Sequence, residues 1–345
     1  MKKWFASLVG SLLISSMLPA QALNVVTINV WSGLDYIGNL KMGEYESPEV
    51  REQRYQILIT ELKKLDPDVL ALNEANKLPA YAHRIAHDLG MDEIHHVGVA
   101  GVRAGPIGLP VNLREGDVIL AKPQFQLAFE GRLQLSGGPV GNFFTFHTTD
   151  ATQVIAGSIM VNGVKVFLFA THWHASPFLN PENLMLWRSD SVQGVVTPRR
   201  FEANIREAEA GQIWRDNESR KMLAFVLNIS GNSPIILMGD FNAMRGSPEI
   251  ERFVQAGFKD VFGELNTTEG FTWDDVLNTN IHTYQVPSNL SPERYRRHRI
   301  DFIFANRHWK VLGSEVVLNQ PVDGLMPSDH FGVSGKIQLM KAGED

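Results

Sequence analysis

From Pro234 to Ala243 the chain reads Pro-Ile-Ile-Leu-Met-Gly-Asp-Phe-Asn-Ala. Ile235 to Met238 are four consecutive large apolar residues, a short strand that must be covered on both faces because successive side chains point to opposite sides of a sheet. The polar group Gly239-Asp240-Phe241-Asn242 follows at its carboxyl end, where open sheets place their chemistry. Asp240 and Asn242 are two apart, so an extended backbone points both to one side. A carboxylate and a carboxamide facing one small volume suit a metal-bound water and a phosphate or carbonyl oxygen. The plainer reading of Asp-x-Asn alone is an Asx turn closing the strand.

The same pattern recurs along the chain. Val25 to Trp31 is β-rich and carries Asn29 near its end; Asp68 to Leu72 is a strand ending at Asn73-Glu74; Val164 to Thr171 runs apolar into Thr171-His172-Trp173-His174. His298 to Phe304 is predicted as one strand containing Asp301, and Ser328-Asp329-His330 opens the strand Phe331 to Leu339. Further strands are expected at Asp117–Ala121, Phe125–Leu133, Asn142–Thr149, Val154–Val161 with a hairpin turn at Asn162-Gly163, and Trp309–Leu318. Ser47-Pro48-Glu49 and Ser247-Pro248-Glu249 each give an N-cap, a proline at the first helical position and an acid in the first turn. These start helices to Leu65 and to Gly257; a short helix through Tyr81, Ile85 and Leu89 and a long one over Arg200–Asn228 complete the set. Ala175–Pro198 and Asn278–Arg296 are predicted as loops, the first as a lid or binding loop. Strands mixed with few helices favour one two-sheet domain with helices packed outside.

A chain of 345 residues with 44% hydrophobic and 20% charged residues can bury a large core. The net charge of −6 gives no basic footprint for nonspecific nucleic-acid binding, although a bound cation supplies phosphate attraction locally. Lys2 and Lys3 precede an apolar run from Trp4 to Leu18, and Ala20-Gln21-Ala22 supplies small residues two apart. That order predicts an export leader over residues 1–22, cleaved after Ala22, with a mature domain over residues 23–345 and a periplasmic or secreted destination. Nothing after it has the length of a membrane span. With no cysteine, an exported chain must draw its stability from its core alone.

Taken in order, Asn29, Glu74, Thr171-His172-Trp173-His174, Gly239-Asp240-Phe241-Asn242, Arg299-Ile300-Asp301-Phe302 and Ser328-Asp329-His330 resemble the signatures of the endonuclease/exonuclease/phosphatase superfamily over essentially the whole mature chain. The resemblance implies an α/β fold, a four-layer αββα sandwich of two packed mixed β-sheets with outer helices. It also implies hydrolysis of a phosphodiester substrate aided by Mg2+ or another divalent cation such as Mn2+. Carried over residue by residue, Glu74 is the principal metal ligand with Asn29 beside it and Asp329 adjoining. His330 is the general base, oriented by Asp301. Asp240 positions the attacking water or assists proton transfer, and Asn242 and His172 hold non-bridging phosphate oxygens.

Two departures bear on the substrate. Trp31 stands where members like the AP endonucleases commonly carry Asp, and Asn73 replaces the usual Gln before the metal Glu. Thr-His-x-His-Ala from Thr171 and Phe271-Thr272-Trp273-Asp274 look most like neutral sphingomyelinases, which implies a lipid headgroup substrate. Gly105 to Val111, Phe178-Leu179 and Met185-Leu186-Trp187 would then dock at a lipid surface. The alternative is a secreted Mg-dependent, DNase-like endonuclease acting on nucleic acid; a third is a catalytically idle binding protein. Oligomeric state is not readable from the sequence.

Overall fold

The computed structural model describes residues 22–36, 40–101, 103–104, 107–108, 112–137, 152–284 and 296–340. The stretch expected to be an export leader lies outside these residues except for Ala22, which opens the first strand opposite Gln338. The predicted strand Asn142–Thr149 lies outside them too, as does the Gly105–Val111 loop apart from Ile107–Gly108.

In chain order the elements are β1 (Ala22–Asn29), α1 (Pro48–Leu65), β2 (Val69–Asn76), α2 (Ala80–Leu89), β3 (Asp92–Ala100), β4 (Arg103–Ala104), β5 (Ile107–Gly108), β6 (Arg114–Ala121), β7 (Ala128–Ser136), β8 (Thr152–Val161) and β9 (Val164–His172). There follow α3 (Pro181–Val192), α4 (Pro198–Ser230), β10 (Ile235–Asp240), α5 (Pro248–Gln255), β11 (Lys259–Asp260), β12 (Trp273–Asp274), α6 (Thr279–Tyr284), β13 (Arg297–His298), β14 (Asp301–Ala305), β15 (Trp309–Val317) and β16 (Gly332–Leu339). One six-stranded sheet has the order β15-β16-β1-β2-β6-β3 and the other β11-β14-β10-β9-β8-β7. Each has one parallel pair near its centre, β1 with β2 and β9 with β10, and is otherwise antiparallel.

Side-chain alternation sorts the strands into layers. Leu23 and Val25 face inward with Ile236, Met238, Ile303 and Val333, forming the core between the two sheets. Val26 and Ile28 face outward against Tyr55, Leu58 and Leu62 of α1 and Ala82 and Ile85 of α2. Ile235 and Leu237 face the other way, against Met222 and Val226 of α4 and Ile250 and Phe253 of α5. Both faces of β10 are covered, as its apolar run requires, and the result is the αββα sandwich.

Local chemistry sets the helix ends. The Ser47 side chain accepts from Val50 N at 3.3 Å, Pro48 fills N1, and Asp66 in the left-handed region ends α1. Four stretches differ from the sequence expectation. Residues predicted as a loop after Ala175 contain α3, started by Asn180, whose side chain accepts from Asn183 N at 2.7 Å. The predicted strand His298–Phe304 is interrupted, because β13 pairs with β12 while β14, starting at Asp301, pairs with β10. The predicted loop from Asn278 likewise begins with the short helix α6. Phe125 belongs to a single 3-10 turn rather than to a strand.

Candidate active site

Strand direction gathers the polar residues at one end of the inter-sheet core. The parallel pair β1 and β2 ends with Asn29 opposite Asn73, and the parallel pair β9 and β10 ends with His172 opposite Asp240. Antiparallel β14 starts where β10 stops, which puts Asp301 opposite Asp240. β16 runs antiparallel to β1, so Asp329 and His330, just before it, return to the same end. Asn29, His172, Asp240 and Asp301 occupy the same inward parity as the core residues that precede or follow them. The parity that buries Ile236 and Met238 is therefore what aims Asp240 between the sheets.

Gly239 is needed for this junction: its φ is 140°, and a Cβ there would overlap the Thr171 carbonyl oxygen. The same carbonyl accepts from Asn73 Nδ2 at 2.9 Å. Asn73 also donates to Asp117 Oδ1 at 2.6 Å, and its Oδ1 accepts from Asp240 N at 2.9 Å. One buried amide thus ties β2 and β6 of the first sheet to β9 and β10 of the second.

His330 Nδ1 lies 2.8 Å from Asp301 Oδ2, and its Nε2 lies 3.8 Å from Asp240 Oδ2. Trp273 packs edge-on to the His330 ring at 5.1 Å. His330 N donates to Ser328 Oγ at 3.2 Å, and that hydroxyl donates to Asn29 O at 2.6 Å, with Asp329 Oδ1 3.3 Å away. Asn29 Nδ2 donates to Glu74 Oε1 at 2.9 Å and to Asp240 Oδ2 at 3.2 Å, while its Oδ1 accepts from Trp31 N at 3.0 Å. In this arrangement Asn29 serves Glu74 as a donor. His172 Nε2 stands 3.6 Å from Asp240 Oδ2 and 3.9 Å from Glu74 Oε1. Asn242 N donates to Asp240 Oδ1 at 2.8 Å and its side-chain amide to Trp173 O at 3.0 Å. Arg299 pairs with Asp260, at 2.6 Å and 3.0 Å, which leaves Asp301 to His330.

All the candidate residues named from the sequence therefore lie in one neighbourhood. Glu74, His172, Asp240, Asn242, Asp329 and His330 line a common cleft of about 370 Å³; Asn29 and Asp301 sit beneath them. Sequence reasoning misses three buried groups: Glu115, Asp117 and Thr272. Thr272 Oγ1 accepts from Ile300 N and Asp301 N, at 3.1 Å and 3.2 Å, and so fixes the start of β14. Glu115 and Asp117 share the inward parity of Ile119 but lie at the amino-terminal half of β6.

The cluster is short of positive charge. Burial, reinforced by Asp301, raises Asp240 to about 6; burial raises Asp117 to about 6; burial and Glu74 raise Glu115 to about 8. Burial by itself would lower both imidazoles, but the carboxylates outweigh it. Asp240, Glu74, Asp117 and Glu115 bring His172 up to about 9, and Asp301 and Asp240 hold His330 well above its ordinary value. Ligand atoms of Asp240, Asp301 and His330 lie within 4.8 Å of one another, a group able to coordinate a divalent ion. Asp301 Oδ1 is buried without a hydrogen-bond partner among the described residues, and the donors around it are mostly oxygens, as hard cations prefer. The residues present fit a divalent cation.

The Endonuclease/Exonuclease/phosphatase family matches residues 26–330. The chain belongs to that family and is a metal-dependent phosphoesterase. Among solved structures, a humanized D. rerio TDP2 is similar at 16% identity and TM-score 0.57, covering 92% of this chain and 99% of that one. An endonuclease/exonuclease/phosphatase family protein from Bacteroides thetaiotaomicron is similar at 16% identity and TM-score 0.61, covering 94% and 100%. A functionally unknown conserved protein from Enterococcus faecalis is similar at 16% identity and TM-score 0.58, covering 92% and 100%. No match was found among curated proteins. These likenesses establish the fold. They give no support to the sphingomyelinase kinship expected from the Phe271–Asp274 stretch, whose Thr272 and Asp274 have structural roles: Asp274 Oδ1 accepts from Val276 N and Leu277 N at 2.9 Å and 3.0 Å.

Proposed function

We propose that this chain is an exported, divalent-metal-dependent phosphodiesterase with nuclease-type specificity. The observation that carries the reading is the buried His330–Asp301 pair opening, through Asp240, into a cleft that also holds His172 and Asn242. The nucleic-acid reading draws support from a similar structure, D. rerio TDP2, which was solved complexed with a single strand DNA product.

In this reading His330, freed of its proton once a bound cation offsets the carboxylates that hold it charged, would accept a proton from the attacking water, and Asp301 would hold the ring in orientation and stabilise the imidazolium. Asp240 orients the water between the two imidazoles. His172, protonated at neutral pH by its ring of carboxylates, and Asn242 donate to the non-bridging phosphate oxygens where charge accumulates. Glu74, held by Asn29 Nδ2 at 2.9 Å and by Ser32 N at 3.1 Å, would be the principal ligand of the cation, with Asp329 adjoining. A bound Mg2+ or Mn2+ would supply charge neutralisation of the carboxylates and Lewis acidity towards the phosphoryl group. Among the described residues no helix is long and apolar enough to cross a membrane.

A lipid substrate is the second reading, favoured by the exposure of Met185 (68%), Val192 (83%) and Val195 (58%) on and just after α3. Against it, Phe178 turns inward, edge-on to His298 at 5.0 Å and under Arg215 at 5.3 Å. The deciding experiment is hydrolysis of single-stranded oligonucleotide, plasmid DNA and sphingomyelin vesicles by the purified chain with Mg2+, with Mn2+ and in chelator. Cation-dependent cleavage of the nucleic acids supports the proposal. Preference for sphingomyelin overturns its substrate, and full activity in excess chelator overturns its metal.

A further inference from the structure

One wall of the cleft is aromatic in a way that phosphate hydrolysis does not require. Trp31, Tyr45 and Tyr284 form a mutual cluster with ring centroids 5.9, 5.7 and 6.2 Å apart. Trp31 is 5% exposed, whereas Tyr45 is 38% exposed, and both line the cleft together with Asp329 and His330. Tyr45 is therefore the open face of a platform whose back is packed. The platform is also held firmly. Trp31 has φ 56°, a conformation that costs a bulky residue energy and persists only where the surroundings impose it. The imposing contacts come from the site: Asn29 Oδ1 accepts from Trp31 N, Arg54 donates to Trp31 O at 3.1 Å, and the Arg54 guanidinium lies 4.9 Å over the indole. Arg54 is in turn anchored by Glu46 at 3.0 Å. Phe178, Trp273 and His298 line the same cleft, the last kept neutral by burial, which lowers it to about 4.

A diester bound with its phosphate at His172 and His330 would thus meet flat aromatic surface within the same cleft. A choline headgroup would meet the same surface with its quaternary ammonium and not with a ring, but a cleft of about 370 Å³ with polar groups on its floor is not an acyl-chain tunnel. A nucleotide carries a planar base one sugar away from its phosphate. We propose that Tyr45, backed by Trp31 and Tyr284, is a stacking platform for the nucleobase beside the scissile phosphate, so that the substrate is single-stranded or locally unpaired nucleic acid. This rests on the phosphodiesterase reading given above.

The test compares an oligothymidylate with an abasic strand of the same length and backbone. Hydrolysis is followed with Mg2+ present, and binding is followed separately by fluorescence anisotropy in chelator. The wild type should favour the base-bearing strand by roughly 5- to 100-fold in KM and in affinity, the worth of one base on an aromatic face. Tyr45→Leu should bring that ratio close to one, and Tyr45→Phe should restore it. Should Tyr45→Leu fail to fold, Tyr45→Met, which covers Trp31 without a ring, gives the same readout. A ratio unaltered by loss of the ring overturns the platform. So does a Tyr45→Leu variant that loses affinity for sphingomyelin vesicles while its oligonucleotide ratio stays at the wild-type value. If neither strand is cleaved but the binding ratio behaves as described, the platform stands and the hydrolytic reading falls.

Discussion

Asp117→Asn should stabilise this protein and do so only above mildly acidic pH. Asp117 is 2% exposed, and burial lifts it from 3.8 to about 6. A tenfold change in proton affinity is worth about 1.4 kcal/mol, so the ionised carboxylate costs the metal-free fold about 3 kcal/mol at pH 7. The sign follows from proton binding. A carboxyl whose folded value is raised binds its proton more tightly in the native state, so its contribution is fully present below about pH 4 and is lost as pH rises through about 6. An amide at 117 has no charge to lose. Its oxygen still accepts from Asn73 Nδ2, while the bond that the Gln153 side chain gives Asp117 is the one an amide can lose, which sets the lower end of the expected gain. Urea unfolding in chelator at pH 4, 5, 6 and 7 should show a gain of about 1–3 kcal/mol at pH 7 that shrinks towards zero at pH 4. Metal affinity should fall, because a carboxylate has been taken from the cluster. Destabilisation at pH 7, or an equal gain at pH 4 and pH 7, would refute the reasoning.

His330→Ala should lower turnover about 10²- to 10⁴-fold, and it should also lower stability because it leaves buried Asp301 without its partner, so turnover is compared on folded protein; wild-type turnover in that variant would remove His330 from the role of base. Asp301→Asn should cost less and move the acid limb of kcat/KM to lower pH, because Asp301 heads the charges that raise His330 and a base works from its neutral form. A limb that moves upward contradicts the pairing. Asn73→Ala should lower stability by about 3 kcal/mol or more, since it orphans Asp240 N, Thr171 O and one bond of Asp117, each of them buried; a change below about 1 kcal/mol in urea unfolding would deny it the bridging role. Glu74→Gln should raise the Mg2+ concentration needed for half-maximal activity more than Asp301→Asn does, and the reverse order would seat the cation among Asp240, Asp301 and His330 instead.

The site is legible in the sequence where strands run parallel. A polar residue closing an apolar run is conspicuous, and in β1, β2, β9 and β10 that closure falls at the catalytic end, so Asn29, Glu74, His172 and Asp240 are all visible. Asp117 and Glu115 are not, because β6 runs antiparallel to β2 and brings its start, not its finish, to the same end. A polar residue before an apolar run looks like any strand entry. Parity would have found them: Glu115, Asp117, Ile119 and Ala121 alternate inward as Asn29 does. α3 escapes notice although Asn180-Pro181-Glu182 repeats the cap, proline and acid of Ser47-Pro48-Glu49. β3 is hidden because an edge strand half-buried along most of its length, with His95 and His96 in its middle, has no clean alternation.

Trp31, Glu74 and Asn242 all have positive φ, at 56°, 54° and 44°, and each comes within two residues of the strand-end positions Asn29, Asn73 and Asp240. Asn tolerates that region, but for Trp and Glu it carries a cost of about 1–3 kcal/mol each. One amide offsets much of it. Asn29 accepts from Trp31 N, donates to Glu74, and reaches Asp240 on the other sheet. The strand ends are thus bent out of their ladders by contacts that converge on Asn29. That bending turns Glu74 from the wall of a sheet into a group facing the cleft, and sets Trp31 beneath Tyr45. A β-strand that kept its regular alternation past position 73 would direct the next side chain to the helix-covered face. The break in β2 between Leu72 and Ala75 is therefore what delivers a carboxylate to the site, and it accounts for how a fold of regular layers holds an irregular cluster of charge at one end.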